Sequence, residues 1–197
     1  VDITGADYAK GFELSDHNGK LRHLTDFNGK VVLMFFGYAS CPDICPTTMA
    51  QLAQVTEALG DKADQVRILF VSIDPHRDTP DILQTYVDQF DPHAIGLTGD
   101  EKAIASLARR YRVAYQIARP DPRHPDEPYE VAHSRGIYAF DQQGKAVYAQ
   151  LGTYEDQILL RVDELQSQAR NAPSQLDRML IEERIAKLSG GIARLKV

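Results

Sequence analysis

Cysteine is scarce in this 197-residue chain: Cys41 and Cys45 are the only two. Two cysteines exclude a disulfide-dense scaffold and a four-cysteine zinc site. A bridge between them would close a very small loop and contribute roughly 2 kcal/mol before strain, a weak staple for a chain of this size. Chemistry is the better reason for their presence. Basic excess is missing too. The 22 Lys and Arg against 28 Asp and Glu leave a net charge of -6, which argues against bulk attraction to nucleic acid or anionic lipid. The longest uninterrupted apolar stretch, residues 31–39, is too short to span a bilayer. No basic segment followed by an apolar one opens the chain, so no signal peptide is expected within it, and the numbering is compatible with one removed upstream. Internal repeats and low-complexity tracts are absent. What is present suits a globular fold of about one domain's mass: 43% hydrophobic and 25% charged residues, enough to bury a core.

Residues 1–10 carry little pattern and are expected to form a disordered lead-in. Residues 12–14, the turn Asn18-Gly19 and residues 21–24 read as a short hairpin. The apolar run 31–36 reads as a strand buried on both faces, and 66–73 as a second. Residues 46–59 read as a helix, with Pro46 at its first position and Met49, Leu52, Val55 and Leu59 near one face. Helices are also expected over 79–90, with Thr79 as N-cap, over 101–111, and over 154–169. Short strands at 94–97 and 112–117, and a hairpin of 136–140 with 146–151, complete the pattern. Pro120, Pro122, Pro125 and Pro128 make 118–133 a long loop, of a kind that is often functional.

This order predicts an α/β layer fold with a mixed central sheet flanked by helices, preceded by the N-terminal hairpin. The domain is expected over 11–170, followed by a helical tail, 171–197, of unknown role. In the tail, Leu176, Met179, Leu180, Arg184 and Leu188 suggest an amphipathic helix ending at Gly190-Gly191. Its last sixteen residues, EERIAKLSGGIARLKV, resemble a short segment of the group I chaperonins. That is far too little to carry chaperonin activity, and it reads as a docking helix or an appended segment.

The cysteine pair stands in Gly37-Tyr-Ala-Ser-Cys41-Pro-Asp-Ile-Cys45-Pro46, a Cys-x3-Cys spacing. Residues four apart on a helix share a face, with Cβ atoms about 5–6 Å apart. A disulfide wants Cβ atoms about 3.5–4.5 Å apart. Two thiolates on one ion fit the spacing comfortably, and a bridge fits with local backbone adjustment. Both cysteines lie near an expected helix N-terminus, where the dipole favours thiolate. The bland alternative, two small buried apolar residues, is opposed by the flanking prolines and the loop position. Two thiolates select Cu(I), and one imidazole would let the site also hold Cu(II). His17, His23, His93 and His124 sit where solvent exposure is expected. His133 differs, because it ends the long loop just before a strand, where it could swing onto the cysteine face. A buried strand running straight into a cysteine pair and then a helix is how a thioredoxin-like fold presents its active thiol.

Three blocks carry a family resemblance: residues 37–49, residues 71–80 (VSIDPHRDTP), and His133-Ser134 with Ile137, Tyr138 and Asp141. Together they resemble the Sco/SenC proteins, copper chaperones for the CuA centre of cytochrome c oxidase. The resemblance implies a thioredoxin-like three-layer fold with Cys41, Cys45 and His133 as copper ligands, holding Cu(I), Cu(II) or both. It places Asp74 near the site as a possible modulator, where a turn or helix cap with Pro75 and Arg77 is the structural alternative. Arg77 and Asp78 are expected to pair structurally, and Asp43 to be a modulator at most. It implies cytochrome c oxidase subunit II as partner, with other copper chaperones. It also implies an oxidising compartment, the periplasm at the inner membrane or the mitochondrial intermembrane space, and an N-terminal anchor outside these residues. Members of the family often carry an acidic residue just before the histidine, where this chain has Ala132, and Arg135-Gly136 is also unusual.

Other functions compete. A thiol–disulfide oxidoreductase would use one cysteine to attack a partner disulfide and the other to resolve it, with the acceptor's own cysteine pair as one candidate partner. His133 discriminates: metal binding needs it and dithiol exchange largely does not. A peroxidase of the peroxiredoxin type needs Thr or Ser three residues before its attacking cysteine, and Tyr38 stands there. A non-catalytic interaction module is disfavoured by the paired cysteines.

Overall fold

The computed structural model describes residues 2–118, 123, 129–150, 174, 175, 178, 179 and 182. Strands β1 (Glu13–Asp16) and β2 (Leu21–His23) form the expected antiparallel hairpin, with Gly19 in the left-handed region at φ 77°. The first apolar run is β3 (Val31–Gly37). After the cysteine loop comes α1 (Ile44–Ala58), then β4 (Val66–Ser72) and α2 (Pro80–Asp88). Thr79 caps α2 as expected, its hydroxyl accepting the Ile82 N–H. Strand β5 (Ile95–Thr98) leads to α3 (Glu101–Arg110), capped by Asp100. Two three-residue strands follow, β6 (Tyr115–Ile117) and β7 (Val131–His133), and then the hairpin β8 (Ile137–Phe140) and β9 (Ala146–Gln150).

Among the described residues, seven strands form one mixed sheet in the order β2-β1-β5-β4-β3-β8-β9, while β6 and β7 make a separate two-stranded ribbon. The central β3 pairs parallel with β4 and antiparallel with β8, and β4 pairs parallel with β5. Successive side chains of a strand point to opposite faces, and adjacent phenylalanines divide the core accordingly. Phe36 packs with Tyr111, at the end of α3, and with Tyr138. Phe35, on the other face, packs with Phe70, which meets Tyr86 of α2. Helices thus flank both faces of the mixed sheet, as expected. The parallel strands β3 and β4 end side by side, Gly37 opposite Ser72, and the Ile73 N–H reaches the Gly37 carbonyl at 2.9 Å. Their carboxyl ends carry the cysteine loop and the Asp74 turn, the edge where α/β sheets place their sites.

Several expectations need correction. Residues 2–10 are not disordered. Asp2 bridges Tyr148, the Ile3 N–H bonds the Val147 carbonyl and the Ala9 N–H the Arg110 carbonyl, while Ile3 and Ala9 are buried. Helix α1 begins at Ile44, ahead of Pro46, because a missing N–H is harmless anywhere in the first turn. Its buried stripe is therefore Cys45, Met49, Leu52 and Thr56, and Val55 and Leu59 are exposed. The strand expected over 112–117 is only β6, since Arg112 adopts a positive φ of 55° that turns the chain out of α3 first. The long loop does not run to His133: residues 131–133 pair with β6 as β7.

The chain divides into two compact units, Val1–Gln150 and Leu151–Val197, a break ahead of the boundary at residue 170 expected above. In the second unit, the described residues Gln175, Arg178, Met179 and Glu182 are helical and exposed. The expected helix at 154–169, most of the tail and His124 lie outside the described residues. Among the described residues, no helix is long and apolar enough to cross a membrane.

Candidate metal centre

The turn of chain between β3 and α1 places the two cysteines differently. Cys45 belongs to the inward stripe of α1 and is fully buried. Its sulfur lies where a side chain on Gly37 would be: a Cβ there would meet Cys45 Sγ at 2.8 Å, Phe70 at 2.9 Å and Phe35 at 3.0 Å. Glycine at 37 is thus a packing requirement of the thiol. Cys41 lies outside the helix and is half-buried, its sulfur accepting the Cys45 N–H at 3.5 Å. Asp43, at the N-cap position, makes no side-chain cap bond. The Cys41 sulfur takes that office, receiving backbone N–H groups of Asp43, Ile44 and Cys45.

His133 reaches the pair from the end of β7. Its Nε2 lies 3.3 Å from Cys45 Sγ, and its Nδ1 is 2.9 Å from the Ser134 carbonyl oxygen. A carbonyl only accepts, so Nδ1 carries the proton and Nε2 presents a lone pair to the sulfur. The ring is packed edge-on against Phe35 and Tyr38. The two sulfurs and an imidazole nitrogen all lie within 4.8 Å of one another. Ligands on a common ion with bonds of roughly 2.0–2.3 Å stand about 3–4.5 Å apart, so this donor set fits one soft ion. The change to Ala132 leaves ring orientation intact: alternation turns residue 132 outward, where it is exposed, and the Ser134 carbonyl orients the imidazole.

The two thiols differ electrostatically. Burial raises the Cys41 thiol, but the hydrogen bonds from Asp43 and Cys45 outweigh it and hold the group below its ordinary range. Burial pushes the Cys45 thiol far upward, and the neighbouring Cys41 adds to the shift. The expectation that the helix terminus favours thiolate at both positions therefore holds only for Cys41. The Cys41 sulfur faces the N–H groups at the start of α1, while Cys45 packs against Gly37 and two phenyl rings, where the Tyr38 N–H does not offset its burial. Tyr38 is raised by burial and by Cys41, and its oxygen bonds both the Val131 N–H and Cys41.

Asp74 is fully buried at the end of β4. Its Oδ2 accepts from Arg77 Nε, and its Oδ1 accepts the Tyr129 hydroxyl at 2.8 Å. The expected Arg77–Asp78 pair is not formed. The Arg77 and Asp78 N–H groups both fold back on the Asp74 carbonyl, a turn that sets 74 and 77 side by side and sends Asp78 inward. There Asp78 accepts the Ser72 hydroxyl at 2.6 Å and the Ala39 N–H at 3.0 Å. Its burial, opposed by those bonds, pushes its carboxyl up to about 6. The remaining described histidines named above have partners elsewhere: His17 accepts the Gly96 N–H, His23 faces Glu13 and His93 faces Asp91. Sequence reasoning missed Tyr129, and it gave neither the packing role of Gly37 nor the inward turn of Asp78. An open groove of about 600 Å³, bordered by Cys41, Asp43, Glu130, His133 and Arg135, lies beside the pair.

A mixed sheet with flanking helices and a buried-strand, cysteine-pair, helix junction defines a thioredoxin-like protein, here with an imidazole brought against the thiols. A family model for SCO1/SenC matches residues 2–165, and the chain belongs to that family. The bovine mitochondrial SCO2 homolog is 41% identical over 135 residues, which cover 68% of this chain and 50% of that protein. A SCO2-like protein of Rickettsia felis is 38% identical over 68% of this chain and 64% of its own. The matched stretch thus spans half to two thirds of these relatives. Among solved structures, Bradyrhizobium japonicum ScoI with copper bound is 40% identical, with TM-score 0.64 over 71% of this chain and 86% of that one.

Proposed function

We propose that the protein is a copper metallochaperone that binds its cargo through Cys41, Cys45 and His133. We infer that it delivers the metal to the CuA site of cytochrome c oxidase subunit II, after loading by other copper chaperones. The observation that carries the reading is the convergence of two sulfurs and one imidazole nitrogen within 4.8 Å, at the sheet edge of a chain whose relatives have been solved with copper. Binding requires both thiols deprotonated, so the Cys45 proton leaves as copper enters. The polar face of the site is Cys41 and the groove; the dry face is Cys45. An acceptor's donor atoms would approach from the groove and replace Cys41 or His133 first, leaving the buried sulfur as the last ligand. The mitochondrial and bacterial relatives support a reading in which this work is done in an oxidising compartment, the periplasm beside the inner membrane or the mitochondrial intermembrane space, with an N-terminal anchor as the proposed tether.

The unequal thiols support a second reading that coexists with the first. Cys41, the sulfur favoured as thiolate, attacks a partner disulfide, and one partner sulfur leaves as thiolate. Cys45 then resolves the mixed disulfide, so the partner gains two electrons and the pair becomes a disulfide. Anaerobic copper titration of the reduced protein tests the first reading, beside His133→Ala and Cys45→Ser. One tight equivalent in the wild type, weakened in the first variant and lost in the second, is the expected result. No specific binding by the wild type would leave the dithiol chemistry alone, and the reduction potential of the pair would then be the property to measure.

A further inference from the structure

His133 sits at the end of a strand of three residues, paired among the described residues with one other strand, also of three. A two-stranded ribbon is marginal by itself, so something else must hold the imidazole at the sulfurs. Tyr129, four residues ahead of His133, is bound by the turn that follows β4. Its hydroxyl donates to Asp74 Oδ1 at 2.8 Å, and its carbonyl accepts from Arg77 Nη1 at 2.9 Å. The Arg77 guanidinium carbon lies 3.6 Å from the Tyr129 ring centroid and 5.6 Å from that of Tyr38. Arg77 Nε closes the circle on Asp74 Oδ2. Both Asp74 oxygens are thereby used on this contact, and Asp74 is not part of the group that converges at the sulfurs. A charge-assisted pair combined with a guanidinium stacked on a ring is among the stronger polar contacts a surface segment can have.

We propose that Asp74, Arg77 and Tyr129 form a clasp that positions His133 for copper. The three are positioning residues: they fix the backbone entering β7 to the end of β4, so that the imidazole stays within reach of a pair of sulfurs anchored in the sheet. This assigns Asp74 an effect on the site that runs through the ribbon and not through contact with the metal. The proposal rests on the copper-binding reading above.

Tyr129→Phe tests it, because the ring and its stack remain and only the hydroxyl is lost. In the reduced, metal-free protein, amide hydrogen exchange over 130–134 should quicken roughly tenfold while β3 and β4 keep their protection. In the Cu(II)-loaded protein, the imidazole nitrogen coupling in the electron paramagnetic resonance spectrum should weaken. Copper loss to a chelator should accelerate about tenfold, and that acceleration should vanish in a His133→Ala background. Arg77→Lys keeps the charge but loses the fork, and should give the same pattern; it also serves if Tyr129→Phe does not fold. Unchanged exchange over 130–134 overturns the clasp, with or without copper. Equal acceleration when His133 is absent overturns the route through the histidine. A wild type that binds no copper, with exchange still quickened in the variant, overturns the copper reading and leaves the ribbon held as described.

Discussion

The candidate centre draws on two regions built in different ways. The cysteines belong to the junction of β3 and α1, where β3 is an interior strand of a seven-stranded sheet and Cys45 is fully buried. The histidine belongs to a two-stranded ribbon outside that sheet. The junction is held chiefly by packing in the core, with the Asp78 carboxylate on the Ala39 N–H beside it. The ribbon is held by a few contacts, the His133 ring edge-on against Phe35 and Tyr38 and the polar tie at Tyr129. A site that must both hold and release a soft ion gains from this division, because the two thiols can keep their place while the third ligand is exchanged. Substitution on either side should therefore produce different kinds of loss.

The largest difference should be between the two ends of the ligand set. Cys45→Ser removes a soft donor from the anchored half and should abolish tight binding, because a buried hydroxyl neither ionises nor matches Cu(I). His133→Ala should keep one equivalent while weakening it by about 10–100-fold, since both sulfurs remain; competition with a chelator of known affinity measures both. If His133→Ala lost the metal as completely as Cys45→Ser, the two regions would be equally indispensable and the division would fail.

The anchored half can be strained from inside. Gly37→Ala would push a methyl group to 2.8 Å from Cys45 Sγ and within 3.0 Å of two phenyl rings. Overpacking of this kind should destabilise the fold by about 1–3 kcal/mol in chemical denaturation. Adding Cys45→Ala should restore part of that loss, because the sulfur is one of the three obstacles. A Gly37→Ala protein of unchanged stability would mean that the junction yields as readily as the ribbon.

The two regions also differed in how far the sequence disclosed them. The junction is local: an unbroken apolar run, a Cys-x3-Cys loop and a proline-started helix follow one another within residues 31–59, so periodicity and turn chemistry reach them. Even there, the stripe of α1 was misjudged at Val55 and Leu59, because the helix starts ahead of Pro46 and the phase follows Cys45. The ribbon is non-local. Its strands are too short to show alternation, and its tie to Asp74 crosses 55 residues. His133 could be found by its place before a strand and by family resemblance. The Asp74–Arg77 turn was open to the sequence as the structural alternative for Asp74, and the structure forms it. Tyr129 had no signal in spacing or composition, since nothing local distinguishes a tyrosine that will meet a buried carboxylate.

Asp78 gives the smallest effect and the one most specific to the anchored half. Its carboxyl is raised to about 6, burial being the chief cause, so the folded protein favours the protonated form relative to the unfolded chain. The sign follows from that: its contribution is most favourable below about pH 4 and is lost as pH rises through about 6. Raising the carboxyl from its ordinary value to about 6 corresponds to about 3 kcal/mol at neutral pH. Asp78→Asn would remove this penalty while keeping an oxygen for Ser72 and Ala39. The new NH2 would take the place of Oδ1, which has no hydrogen-bond partner among the described residues, at a cost of about 1–2 kcal/mol. The net expectation is a gain of about 1 kcal/mol at pH 7 that becomes a loss of similar size near pH 4, read from urea unfolding of the reduced, metal-free protein at the two values. A variant whose stability ran parallel to the wild type across that interval would show that Asp78 is ionised in the fold at no expense. The interior behind the cysteines would then be as accessible to water as the ribbon.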